Sequence, residues 1–143
     1  MSCNKINSAV ITPVLAAGSV ASPYYFQVNI SQRLCWPACA DRTPVFSPVF
    51  SLESVSQVGT GQYVATIKVE GVISYIPCGQ SECCTRSQVI SQTFTIPIAS
   101  AAAPTSVTLT QGVSVNAVNT SACQSCGRSF VSETPLVVTV AEL

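Results

Sequence analysis

Residues 63–98 constrain the fold more than any other stretch. Tyr63, Ala65, Ile67 and Val69 alternate with Thr66, Lys68 and Glu70. A period of two among β-branched and aromatic residues marks a strand with one buried face. Phe94, Ile96 and Ile98 alternate in the same way with Thr93 and Thr95. The polar segment 77–84 between them is too long to continue either strand. The centre of the chain is therefore expected to be a β-hairpin or β-arch whose tip carries Cys78, Cys83 and Cys84.

The flanking sequence repeats the pattern. Phe26, Val28 and Ile30 alternate with Gln27, Asn29 and Ser31, which predicts a strand from Tyr24. Pro37, Pro44 and Pro48 then remove backbone donors, and no central strand is expected before Val49. Phe50, Leu52 and Val55 make a short strand closed by the turn-prone residues 58–61. Val107 and Leu109 predict another, ended by Gly112, and Val113, Val115 and Val118 a further one. Cys123 and Cys126 interrupt before residues 130–132, and Leu136, Val138 and Val140 form the last strand. No segment has helical period and caps. About eight short strands predict an all-β chain, a single-domain β-sandwich or jelly roll spanning 23–143. Residues 1–22 are expected to form an extended N-terminal arm or a first strand. Lys5 and the apolar run from Ala9 mimic a secretory leader, but Pro13 and Gly18 interrupt it, which favours the arm.

Charge is scarce: six basic and six acidic residues in 143, or 8 %, against roughly 25 % in an average domain. No stretch approaches the ~20 apolar residues of a spanning helix, and the Val, Ile and Phe content argues against disorder. Outward faces are Ser, Thr, Gln and Asn. A net charge of zero with so few charges promotes self-association, so copies of the chain are its first expected partner. Lys5, Arg33, Arg42, Lys68, Arg86 and Arg128 are isolated, which argues against nucleic acid.

Catalytic chemistry has little to build on. The chain has no histidine, which removes the commonest general base and triad partner. Asp41, Glu53, Glu70, Glu82, Glu133 and Glu142 are dispersed and suggest no acid–base pair. No glycine-rich phosphate loop is present. The expectation is a non-enzymatic protein without catalytic residues, a required cofactor, a membrane contact or a small-molecule substrate.

Eight cysteines are the sharpest chemical feature, and all but Cys3 are expected in connections between strands. Three uses compete. An even count fits a disulfide framework, worth ~2–4 kcal/mol per bridge in an oxidising compartment; Cys3, Cys35 and Cys39 are its cross-link candidates. Cys123 and Cys126 form a half-site for structural zinc, completed by Cys78 with Cys83 or Cys84, although the spacing from Cys78 to Cys83 is wider than a usual knuckle. The third use is as buried thiols, which pack like small hydrophobes. Cys3, on the arm, is the best placed for an intersubunit contact.

The runs 63–75 (YVATIKVEGVISY), Pro77-Cys78, Cys83-Cys84-Thr85, 91–97 (SQTFTIP) and 129–135 (SFVSETP) resemble small cysteine-containing proteins of gut bacteriophages, the capsid auxiliary or decoration proteins of the crAss-like group. The resemblance starts at Tyr63 and includes nothing before it. It implies a virion subunit present in many copies and held by other capsid proteins. Two alternatives stand beside it. One is a cystine-cross-linked extracellular subunit of a cell or spore surface or a filament. The other is an Ig-like or carbohydrate-binding module presenting Tyr24, Tyr25 and Trp36, although Trp36 between Cys35 and Pro37 reads first as a core plug.

Overall fold

A computed structural model of the chain describes residues 9–17, 22–39, 43–77, 85–99, 104–119 and 126–142. Along them run β1 (Val10–Leu15), β2 (Tyr24–Cys39), β3 (Val45–Phe46), β4 (Val49–Gly59), β5 (Gln62–Tyr75), β6 (Arg86–Ala99), β7 (Pro104–Gln111), β8 (Val115–Asn119) and β9 (Cys126–Glu142). The alternating stretch that dominates the sequence becomes β5 and β6, paired antiparallel without a register shift from Gln62↔Ala99 to Tyr75↔Arg86. β4 joins the other side of β5 through a tight turn at Thr60 and Gly61. Gly61 has φ 71°, a conformation open to glycine and strained for residues with a Cβ.

β3, β4, β5 and β6 form a four-stranded antiparallel sheet, and β1, β2, β9, β7 and β8 a five-stranded one. Packed face to face, the two make a β-sandwich, the expected class, with one strand more than expected. The count differs because β1, in the segment expected to be an arm or a first strand, pairs antiparallel with β2, and β3 adds a two-residue strand, while two expected C-terminal strands are one. Residues 1–8 of the arm lie outside the described residues.

Two short strands expected near the C-terminus are one long strand, because Pro135 does not interrupt β9. The Pro135 carbonyl accepts a hydrogen bond from the Gly112 N–H at 2.8 Å. In a strand, the N–H and C=O of one residue point to the same side. The donor that Pro135 lacks would therefore face the break between β7, which ends at Gln111↔Leu136, and β8, which starts at Val115↔Glu133. A central strand tolerates proline where its neighbour is already broken.

The core lies between the sheets. β2 supplies Phe26, Val28, Ile30 and Leu34 and β9 supplies Phe130, Leu136 and Val138; Ile67, Val69, Ile73, Ile90, Phe94 and Ile96 face them from β5 and β6. Each such side chain adds about 1.5–3 kcal/mol by leaving water. Phe46 meets Phe130 edge-on at 5.6 Å, and Phe50 meets Phe94 at 6.0 Å. Gly71 makes room for Phe46: a Cβ there would lie 2.6 Å from Phe46 Cε1 and 3.2 Å from the Pro48 Cα. Gly71→Ala is therefore expected to push β3 off the sheet and cost about 1–3 kcal/mol, read from the midpoint of a urea titration.

Glutamine side chains tie the seam between the sheets. Gln111 on β7 donates to the Pro48 carbonyl at 2.6 Å and accepts from the Phe50 N–H at 3.1 Å. Gln92 on β6 donates to the Ala9 carbonyl at 2.7 Å. On the inner side, Asn116 donates to the Phe46 carbonyl and accepts from Ser132, and Ser114 bonds Thr134. Among the described residues, every buried side-chain nitrogen and oxygen has a partner.

Candidate functional site

Cys35, Cys39 and Cys126 mark one end of the sandwich, and the end is built by a bulge. β2 and β9 pair regularly up to Arg33↔Ser129 and resume at Ala38↔Gly127, so residues 34–37 of β2 stand opposite Arg128 alone. Pro37 has no N–H to give a ladder, and a bulge is where a strand accommodates it. The proline-rich stretch thus bends β2 instead of ending it, and the strand continues to Cys39. That corrects two expectations together. Cys35 and Cys39 lie in β2 and Cys126 in β9, not in connections.

Bulging leaves backbone groups of β2 without strand partners, and two side chains of the opposite sheet reach them. Gln88 accepts from the Cys35 N–H at 2.8 Å and donates to the Arg33 carbonyl at 3.2 Å. Tyr75 donates its hydroxyl to the same Gln88 oxygen at 3.0 Å and accepts from the Trp36 N–H at 3.3 Å. Burial pushes the Tyr75 hydroxyl above its ordinary pKa, against the opposing effect of the Trp36 N–H. The Arg86 guanidinium lies 5.0 Å from the Trp36 ring centre, a cation–π contact worth about 0.5–1 kcal/mol at an exposed site. One bridge, Ala38↔Pro77, joins the two sheets at this end.

Cys35 is disulfide-bonded; its partner sulfur is not among the described side chains. Cys39 and Cys126 are register partners on adjacent antiparallel strands. Cys78, Cys83 and Cys84 fall in sequence between Pro77 and Thr85, and Cys123 falls three residues before Cys126. These four, with Cys3, lie outside the described residues. Pro77, Cys39 and Cys126 therefore bring the flanks of both cysteine-bearing connections to the end that holds Cys35. Among the described residues, no group of three or more His, Cys, Asp or Glu is placed to hold a metal ion. The chemistry legible at this end is covalent tethering.

Gln88 and Tyr75, which hold the bulge, were not singled out by sequence reasoning. A signal existed: Gln88 shares its strand parity with Ile90, Phe94 and Ile96, and a glutamine at a core position needs a buried partner. The three aromatics of the carbohydrate-binding alternative do not form one surface. Tyr24 is buried, with its hydroxyl on the Ala99 carbonyl at 3.0 Å, while Trp36 packs against the core at the other end of β2. Tyr25 is exposed.

The outer face of the four-stranded sheet is the second feature of note. Val45, Val49, Val72 and Val89 are exposed by 66, 64, 48 and 72 %, and they line an open groove of about 640 Å³ together with Ser47 and Ser51. Val72 and Val89 stand directly opposite each other on β5 and β6. The charges on this face are Lys68 and Glu70, paired at 2.7 Å, and Glu53 at the β4 bulge, close enough to act on Lys68. Beyond them the face continues as Ser54, Thr66, Thr93 and Thr95.

No helix among the described residues is long and apolar enough to cross a membrane. Compared with known proteins, the chain matches no family model, no curated protein and no solved structure.

Proposed function

We propose that this protein is a structural, non-enzymatic subunit that assembles with copies of itself and with other structural proteins, as an auxiliary or decoration protein of a phage capsid. The observation that carries the reading is the outer face of the smaller sheet. Four exposed valines share one groove there, and the charges beside it are few: the Lys68–Glu70 pair and Glu53. Such a face presents little charge to keep copies apart, and covering its valines is favourable by about 25 cal/mol per Å². The phage resemblance adds the partner class; its runs 63–75, 91–97 and 129–135 lie in β5, β6 and β9.

A second reading has its own observation. The disulfide at Cys35 belongs in an oxidising setting, which favours a cystine-linked subunit of a cell, spore or filament surface. Native mass spectrometry of the intact protein, without reductant and then with it, separates the two. A multimer that survives reduction is the expected result, and zinc retained on it would assign metal to the cysteine connections. A multimer that dissociates only on reduction favours the surface subunit. A monomer in both conditions would overturn self-assembly.

A further inference from the structure

Four strand margins bound the two sheets, and three of them are blunted. β1 has six residues, Pro13 among them. The β3–β4 margin is interrupted by Ser47 and Pro48, shifts register between Leu52 and Ser54, and has its Pro48 carbonyl and Phe50 N–H occupied by Gln111. The β7–β8 margin is parted at residues 112–114. β6 differs from all three. It runs for 14 residues without a register shift, and among the described residues it pairs with β5 alone. From Ser87 to Ile96 it carries neither a charge nor a proline. Folded proteins ordinarily guard such a margin with Lys, Pro, a bulge or a short strand, because its unpaired N–H and C=O groups are a template for another strand.

We propose that the β6 margin is an interface, at which two copies of this chain pair antiparallel about a two-fold axis near Ser91 and Gln92. The pairing joins two four-stranded sheets into one. It rests on the self-assembling reading above and gives that reading a surface.

The occupant follows from how charge and side chains are distributed along the strand. A strand paired with itself is an isologous contact, so every residue near the axis meets its own kind or a near neighbour. Like charges at the centre would oppose it, and the centre has none. Arg86 and Pro97 stand just outside the uncharged span, at roughly equal distances from the axis. In the pair, Arg86 of one copy therefore approaches the Pro97 end of the other. The two Arg86 side chains are then held about 35 Å apart by a rise of ~3.3 Å per residue. On the outward side, Val89, Ser91, Thr93 and Thr95 flank the axis, and hydroxyl and β-branched pairs are favourable across antiparallel strands. Gln92 gives its side chain, not its main chain, to Ala9.

Sedimentation equilibrium of the full chain, with free thiols alkylated to exclude intermolecular disulfides, tests the proposal. The unmodified chain is expected to associate. Ser91→Lys/Thr93→Lys, which places four lysines around the axis, is expected to raise the dissociation constant at least tenfold. Thr108→Lys/Thr110→Lys adds the same charge on the exposed β7 margin of the other sheet and is expected to leave association unchanged. Association that persists in Ser91→Lys/Thr93→Lys would overturn the β6 interface while leaving self-assembly standing. A wild-type monomer at every concentration would overturn both. If the double variant unfolds by circular dichroism, hydrogen exchange on the wild type decides. Slowing of β6 amides as concentration rises supports the interface, and its absence from an associating sample overturns it.

Discussion

Gln88→Leu is expected to lower stability by about 2–4 kcal/mol although it conserves volume and adds an apolar side chain to the core. Gln88 is buried, and its carboxamide satisfies the Cys35 N–H and the Tyr75 hydroxyl while also bonding the Arg33 carbonyl. The Arg33 carbonyl keeps a second donor, Gln32 Nε2 at 3.0 Å, so the cost falls on the Cys35 N–H and the Tyr75 hydroxyl, which lose the Gln88 oxygen. Burying an unsatisfied donor costs about 1–3 kcal/mol each. In a chain of this length that corresponds to roughly 5–15 °C in the thermal midpoint. Hydrogen exchange supplies the local readout: the Cys35 amide should lose its protection in the variant. A variant as stable as the parent, with that amide still slow to exchange, would show that the bulge is held by something other than Gln88.

Phe130→Ala is expected to cost about 3–5 kcal/mol, the range for deleting a fully buried aromatic side chain. Phe130 has no exposed surface, and it receives the edge of Phe46 at 5.6 Å. Phe46 belongs to a strand of two residues, so the cavity should loosen β3 more than β9. Denaturant titration checks the global loss, and faster exchange of the amides around Phe46 checks where it is felt. Loss spread evenly over both sheets would contradict this placement. Gly71→Ala acts on the same ring from the opposite side by overfilling, and since both variants touch Phe46 their effects should not add.

What the sequence made legible was whatever depends on side-chain parity. Phe26, Val28 and Ile30, Ala65, Ile67 and Val69, and Phe94, Ile96 and Ile98 all face the core as their alternation requires. What escaped depends on strands far apart in sequence. Nothing local says that residues 34–37 stand opposite a single arginine, because the count is set by β9, about ninety residues later. Cys35 and Cys39 were misplaced for the same reason: Pro37 reads locally as a strand end, and only a bulge shared with β9 turns it into a bend. Pro135 repeats the case, since its tolerance depends on where β7 stops. The glutamine ties sit between. Gln88 at a core parity announces a buried amide, but its partners belong to another sheet.

The sparsely charged outer face has a further consequence. Lys68 and Glu70 hold each other with Glu53 beside them, most of the rest of the face is hydroxyl and valine, and the chain has no histidine. A contact made through such a face has little for dissolved ions to screen and no imidazole to protonate between pH 5 and 8. Its grip should not weaken as salt rises, and concentrated salt, which strengthens apolar burial, should tighten it. Surfaces rich in lysine and glutamate trade that tolerance of salt for long-range attraction and selectivity; this one forgoes both and must find its partner by proximity and by shape.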